Sequence, residues 1–168
     1  MLVNRYSSTQ FRELDMFFRL EQSDDHPFET RANFLRKNGL ECFEDDSIFI
    51  SAPYASRFPD ELELTLKPKV CNFRQLPKIE VKKVAQGLYY AINFFSSERG
   101  VTDFNVITHQ DSLLENSEYR IHFHILPRNK NVLGGVEVGF NGYVVDTWPE
   151  ATASAFREYM KRVPEEEI

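Results

Sequence analysis

Three observations predict an α+β fold, an antiparallel sheet with helices packed on one face. Strand-like stretches follow one another through short connections, which favours antiparallel pairing. The stretch from Pro77 to Arg99 carries apolar residues at helical spacing. Tyr119 to Leu126 alternates with period two and reads as a strand. The chain has 168 residues, enough for one domain with a sizeable core, and no repeat, linker or low-complexity run divides it. Within that single domain (residues 1–168), residues 1–39 form a helical N-terminal extension, 40–162 the core and 163–168 a tail.

In chain order, Thr9 to Gln22 reads as a helix with Phe11, Leu14, Phe17 and Phe18 on one stripe. Ser23 to Pro27 breaks it. Phe28 to Asn38 suits a second, short helix closed by Gly39. Glu44-Asp45-Asp46 is a turn, and Ser47 to Ala52 is a strand stopped by Pro53. Glu61 to Leu66 alternates and predicts a half-exposed strand. In the long helix Pro77 suits the first turn and Gly100 the far cap. Val84, Leu88, Ile92 and Phe95 are expected to pack on the sheet. Phe104 to His109 is the next strand, and Asp111 to Glu118 a polar loop. After the Tyr119 strand, Gly134 to Val145 reads as a strand pair or one bent strand. Trp148-Pro149-Glu150 starts a last helix that ends near Arg162.

Composition narrows the function. The net charge of −6 lacks the basic surplus of a nucleic-acid binder. No apolar run is long enough to span a membrane, and the N-terminus has no signal-peptide core. Cys42 and Cys71 have no metal-like spacing. Two free thiols in a reducing compartment fit them, so a cytoplasmic location is expected, with a single disulfide as the alternative.

The chemistry concentrates on one strand. Arg120, His122, His124 and Leu126 share one face of it, and Tyr119, Ile121, Phe123 and Ile125 the other. Three of the four histidines, His109, His122 and His124, fall in this neighbourhood. A row of same-face cationic groups adds little to a sheet, so a ligand or catalysis explains it better. Neutral imidazole is a good nucleophile near pH 7, and arginine grips phosphate with two bonds. A metal is the alternative for His109, His122 and His124, with zinc or iron as the ion and Glu115 or Glu118 as an acidic fourth ligand. Arg120 on the same face would repel a dication, so no metal is expected and no cofactor is required.

The segment His122-Phe123-His124-Ile125-Leu126-Pro127-Arg128 resembles the strand motif of the histidine-triad superfamily. More of the chain is similar to the C-terminal half of galactose-1-phosphate uridylyltransferases. Ala52 to Glu61 resembles that family's strand entry, His109-Gln110 its upstream His-Gln, Gly135 to Gly139 its Gly-Phe-Glu-x-Gly and Pro149-Glu150-Ala151 the start of its last helix. The resemblance runs from about Leu40 to Glu158. It departs at Arg120, where the triad has its first histidine, and at Lys69, where the family has a histidine. The His-Pro-His-x-Gln nucleophile motif of the N-terminal half is missing from this chain.

The resemblance implies a histidine-triad-like fold and a nucleotidyl transferase or nucleotide phosphoanhydride hydrolase. His122 is then the catalytic nucleophile, with Arg120, His124, Lys67 and Arg128 contacting the phosphates. The partner is a nucleotide or nucleotide sugar, and a homodimer is implied. The alternative is a non-catalytic module that binds a nucleotide or a metal.

Overall fold

A computed structural model describes residues 26–110, 119–128 and 144–164. The helix expected over 9–22, the loop over 111–118 and the strands over 134–143 lie outside the described residues. So do Glu115 and Glu118. Val144 and Val145 are described and belong to no strand.

Helix α1 runs Pro27–Lys37, with proline in the first turn where its missing N–H costs nothing. Gly39 follows at φ 70° and turns the chain into β1, Glu41–Glu44. Asp45 then makes a tight turn. Its Oδ1 accepts from the backbone N–H groups of Ser47 and Ile48 at 2.7 and 2.8 Å. Strand β2, Ile48–Ser51, and strand β3, Leu62–Leu66, follow. One 3-10 turn, Phe73–Gln75, is capped by the Asn72 side chain and leads into α2, Lys78–Arg99. Pro77 stands just before that helix and Gly100 closes it at φ 62°, as the sequence predicted. Strands β4, Phe104–His109, and β5, His122–Pro127, precede the last helix α3, Pro149–Met160.

The five strands of the described residues form one sheet in the order β1-β2-β3-β5-β4. Every pairing is antiparallel. Strand β5, which carries the imidazoles, therefore lies between β3 and β4. On one face Ile48, Ile50, Leu62, Leu64, Leu66, Phe123 and Ile125 meet α2 and α3 to form the core. The expected α+β class is the one observed, but the helices do not share one face: α1 lies against the other, where Leu35 meets Phe49 and Phe28 meets His122. Among the described residues no helix is long and apolar enough to cross a membrane. Both cysteines are free and buried, and burial pushes the Cys42 thiol up to about 12.

Four expectations need correction. Residues 41–44 form a strand that the sequence did not announce. Strand β3 is buried along its whole length instead of half-exposed. Helix α2 turns Val84, Gly87, Tyr90, Ala91, Phe94 and Phe95 inward, while Ile92 and Leu88 are only partly buried and Val81 is exposed. The stripe is centred on Gly87, because only a residue without a side chain lets the helix come down onto Leu64 and Ile48. Finally, the histidine strand starts at His122, not Tyr119. Tyr119 packs with Cys71 and Phe28 in a separate cluster instead of joining the Ile121 face.

Candidate functional site

The second face of the sheet is polar, and register alone assembles it. Thr65 pairs with His122 and Glu63 with His124 across β3 and β5. His109 pairs with His122 across β4 and β5. Directly opposed residues share a face. Glu63, Thr65, His109, His122 and His124 are thus brought together by backbone pairing.

The three imidazoles form one cluster. His109 Nδ1 lies 3.1 Å from His122 Nε2, and the nitrogens that the three rings offer all lie within 4.8 Å of one another. His109 and His122 are buried. Each of the two β5 imidazoles is oriented by its other nitrogen. His122 Nδ1 donates to the Arg120 carbonyl at 3.1 Å. His124 Nδ1 donates to Glu61 Oε1 at 3.0 Å. A carboxylate and a carbonyl only accept, so both rings carry their proton on Nδ1 and turn the Nε2 lone pair inward.

Two glutamates, which sequence reasoning passed over, complete the setting. The second Glu61 oxygen accepts from the Arg57 backbone N–H at 2.8 Å, which fixes the carboxylate against His124. Glu63 is only 1 % exposed. Arg31 on α1 grips it with both Nη1 and Nη2, the latter at 2.6 Å to Oε2, and the Thr65 hydroxyl donates to Oε1 at 3.1 Å. Burial pushes the Glu63 carboxyl up. The Arg31 guanidinium outweighs that effect and holds the group well below the usual carboxylate range. The signal was their spacing: Glu61 and Glu63 alternate on a strand, a pattern that by itself reads as solvent-facing.

The other expected site residues are distributed differently. Arg120 lies beside the centre, with Phe28 facing both its guanidinium at 6.0 Å and the His122 ring at 5.8 Å. It pairs with Glu29 on α1 at 2.8 Å. Lys67 is turned to the β1–β2 turn, where its ammonium meets Glu44 Oε1 and the Asp45 carbonyl, each at 2.8 Å. Arg128 follows the far end of β5, six residues beyond His122 and hence about 20 Å along the strand, at roughly 3.3 Å per residue. Its exposed side chain belongs to the other end of the sheet.

A five-stranded antiparallel sheet with α2 and α3 on one face, and the imidazoles under α1 on the other, has a histidine-triad-like fold. Solved structures of this kind superpose closely. A uridylyltransferase matches over 94 % of this chain with a TM-score of 0.79 at 18 % identity, using 52 % of its own length. A GalT-like protein of Arabidopsis thaliana gives 0.77 over 92 % of this chain, again at 18 % identity and with 51 % of its own length. A zinc-bound histidine triad family protein of Mycobacterium smegmatis gives 0.54 at 15 % identity, over 78 % of this chain and 91 % of its own. The chain thus spans about half the length of the uridylyltransferase and of the GalT-like protein it matches. No family model matches the sequence, and no curated protein matches it.

Proposed function

We propose that this domain holds one divalent transition metal ion, zinc or ferrous iron, on His109, His122 and His124. The observation that carries the reading is the 3.1 Å separation of His109 Nδ1 and His122 Nε2 inside a three-imidazole cluster. Two nitrogens at tetrahedral zinc distances of about 2.0–2.1 Å stand about 3.3 Å apart. An ion can thus take the place of the proton these two rings would otherwise share. The outer hydrogen bonds support it, since metal-bound histidine typically gives its other N–H to a carboxylate or a carbonyl. Glu61 and the Arg120 carbonyl are such partners for His124 and His122. The expectation of no metal rests on repulsion from Arg120, and Glu29 answers that charge. Glu61 and Glu63 beside the imidazoles favour a cation further.

The test is elemental analysis after loading the full chain with Zn²⁺ or, without oxygen, Fe²⁺. About one ion per chain is expected, lost in His109→Ala and in His124→Ala. Less than a tenth of an ion at saturating metal would sink the reading.

A second reading keeps His122 as a nucleophile toward a nucleotide or nucleotide sugar, within a homodimer. It is favoured by the His122 Nδ1–Arg120 carbonyl hydrogen bond, which leaves Nε2 unprotonated as attack requires. Nε2 would form a bond to phosphorus while the phosphoanhydride P–O bond breaks, and an acceptor oxygen would later displace the imidazole. The two readings compete for one atom, because Nε2 cannot hold an ion and attack phosphorus together. Mass spectrometry after incubation with UDP-glucose or ADP-glucose decides it. A nucleotidyl adduct that is absent in His122→Ala supports attack. An unmodified chain with every nucleotide sugar tried removes it. Sedimentation measures the dimer.

A further inference from the structure

Arg120 carries a charge that the histidine centre does not use. Its side chain is only 8 % exposed. Nη2 donates to Glu29 Oε1 at 2.8 Å, while the buried Nε–H meets no acceptor among the described residues. An unanswered buried donor is costly, and this one is half of a matched pair. The Nε and Nη2 edge of a guanidinium grips an oxyanion with two parallel bonds. Glu29 fills one prong of that fork and leaves the other empty.

The position of Glu29 is that of an anion. It sits in the first turn of α1, an eleven-residue helix whose N-cap residue, His26, makes no side-chain cap. Helix N-termini attract negative charge. The hydrogen bond from Arg120, opposed by partial burial and joined by the charges of Arg120, Arg36 and His26, holds the Glu29 carboxyl below its usual range. Unlike Arg120, Glu29 is half exposed, so its side chain can swing into water without moving the backbone.

We propose that Arg120 and the first turn of α1 form a phosphate-binding site, and that Glu29 is its internal stand-in, displaced when a ligand's phosphate arrives. A phosphate dianion offers oxygens to Nε and Nη2 at once and completes the fork. Phe28, adjacent to Glu29, faces both Arg120 and the His122 ring. The site stands apart from what the imidazoles hold and does not depend on it.

Titration calorimetry on the full chain tests this with two probes, inorganic phosphate and uridine 5′-monophosphate. Glu29→Gln removes the competing charge and should bind phosphate about tenfold tighter than wild type, the gain that follows if Glu29 fills the fork about nine-tenths of the time. Arg120→Met should bind at least tenfold more weakly, and Arg120→Lys, which keeps the charge but not the fork, should also lose affinity. Equal tightening of both probes in Glu29→Gln points to phosphate itself as the ligand, and tightening of the nucleotide alone to a nucleotide phosphate. Should Glu29→Gln bind neither probe more tightly, or Arg120→Lys bind them as well as wild type, the proposal is overturned. Metal content measured on the same samples reports on the histidine centre separately.

Discussion

Removing Arg31 tests whether the polar face depends on charge pairing. Glu63 is 1 % exposed and Arg31 is 39 % exposed, so the pair is lopsided: a dry carboxylate held by a half-wet guanidinium. Breaking a fully buried pair costs about 3–5 kcal/mol, because the remaining charge is left without an answer. Water already reaches Arg31, which lowers its worth, so about 2–3 kcal/mol is expected for Arg31→Met. The pH dependence is the sharper readout. In the wild type the folded Glu63 carboxyl lies below its ordinary value of 4.5. Its stabilisation is complete above that value and is lost as pH falls toward the depressed one. Between pH 7.5 and 5.5 it contributes no slope. Without Arg31 the sign reverses. Burial now raises the folded Glu63 above 4.5, so the folded state binds the extra proton and stability rises as pH falls. Urea denaturation followed by circular dichroism at pH 7.5, 6.5 and 5.5 measures both effects. A loss under about 1 kcal/mol, the worth of a surface pair, or a variant that weakens on acidification, would refute the reasoning.

Two further outcomes follow from the packing. In Gly87→Ala the new methyl would lie 2.8 Å from Ile48 Cδ1 and closer still to Leu64 Cδ1, both in the core. The helix-propensity gain of about 1 kcal/mol should be outweighed by overpacking of about 1–3 kcal/mol, and calorimetry should show a lower Tm; a higher one would mean the sheet yields freely. Thr152→Val removes the hydroxyl that donates to Asp60 Oδ1 at 2.9 Å, next to Glu61. About 1 kcal/mol of stability should go. Metal affinity should fall with it, because Glu61 orients His124; unchanged affinity would show that Glu61 is held by Arg57 alone.

The parts of the fold that sequence could show were those carried by local spacing. The long helix with Pro77 and Gly100 at its ends and the alternation around His122 and His124 depend on neighbours in the chain, and they are where expected. What local spacing misjudged depends on distant partners. Strand β3 reads as half-exposed because Glu63 is charged, yet Arg31 from α1 allows that charge to be buried. Strand β1 has four residues, too few for a period to declare itself. The α2 stripe is displaced because its centre, Gly87, scores as nothing on a pattern of apolar residues. In the site, the imidazoles were legible and their acidic partners were not. Lys67 and Arg128 were read as phosphate contacts beside Arg120, but Lys67 is held at the β1–β2 turn and Arg128 stands past the far end of β5.

The strand order also has a consequence for synthesis. The links that build the polar face bridge 13, 32 and 63 residues of chain, so none can form within a single local element. Strand β5 enters between β3 and β4, which precede it in the chain. Until residues 122–127 have emerged from the ribosome, β3 offers an unpaired row of backbone N–H and C=O groups flanked by Leu62, Leu64 and Leu66. Such an edge recruits other chains. The nascent protein is therefore most exposed to misassociation just before His122 and His124 arrive, and the strand that carries them is also the one that closes the edge.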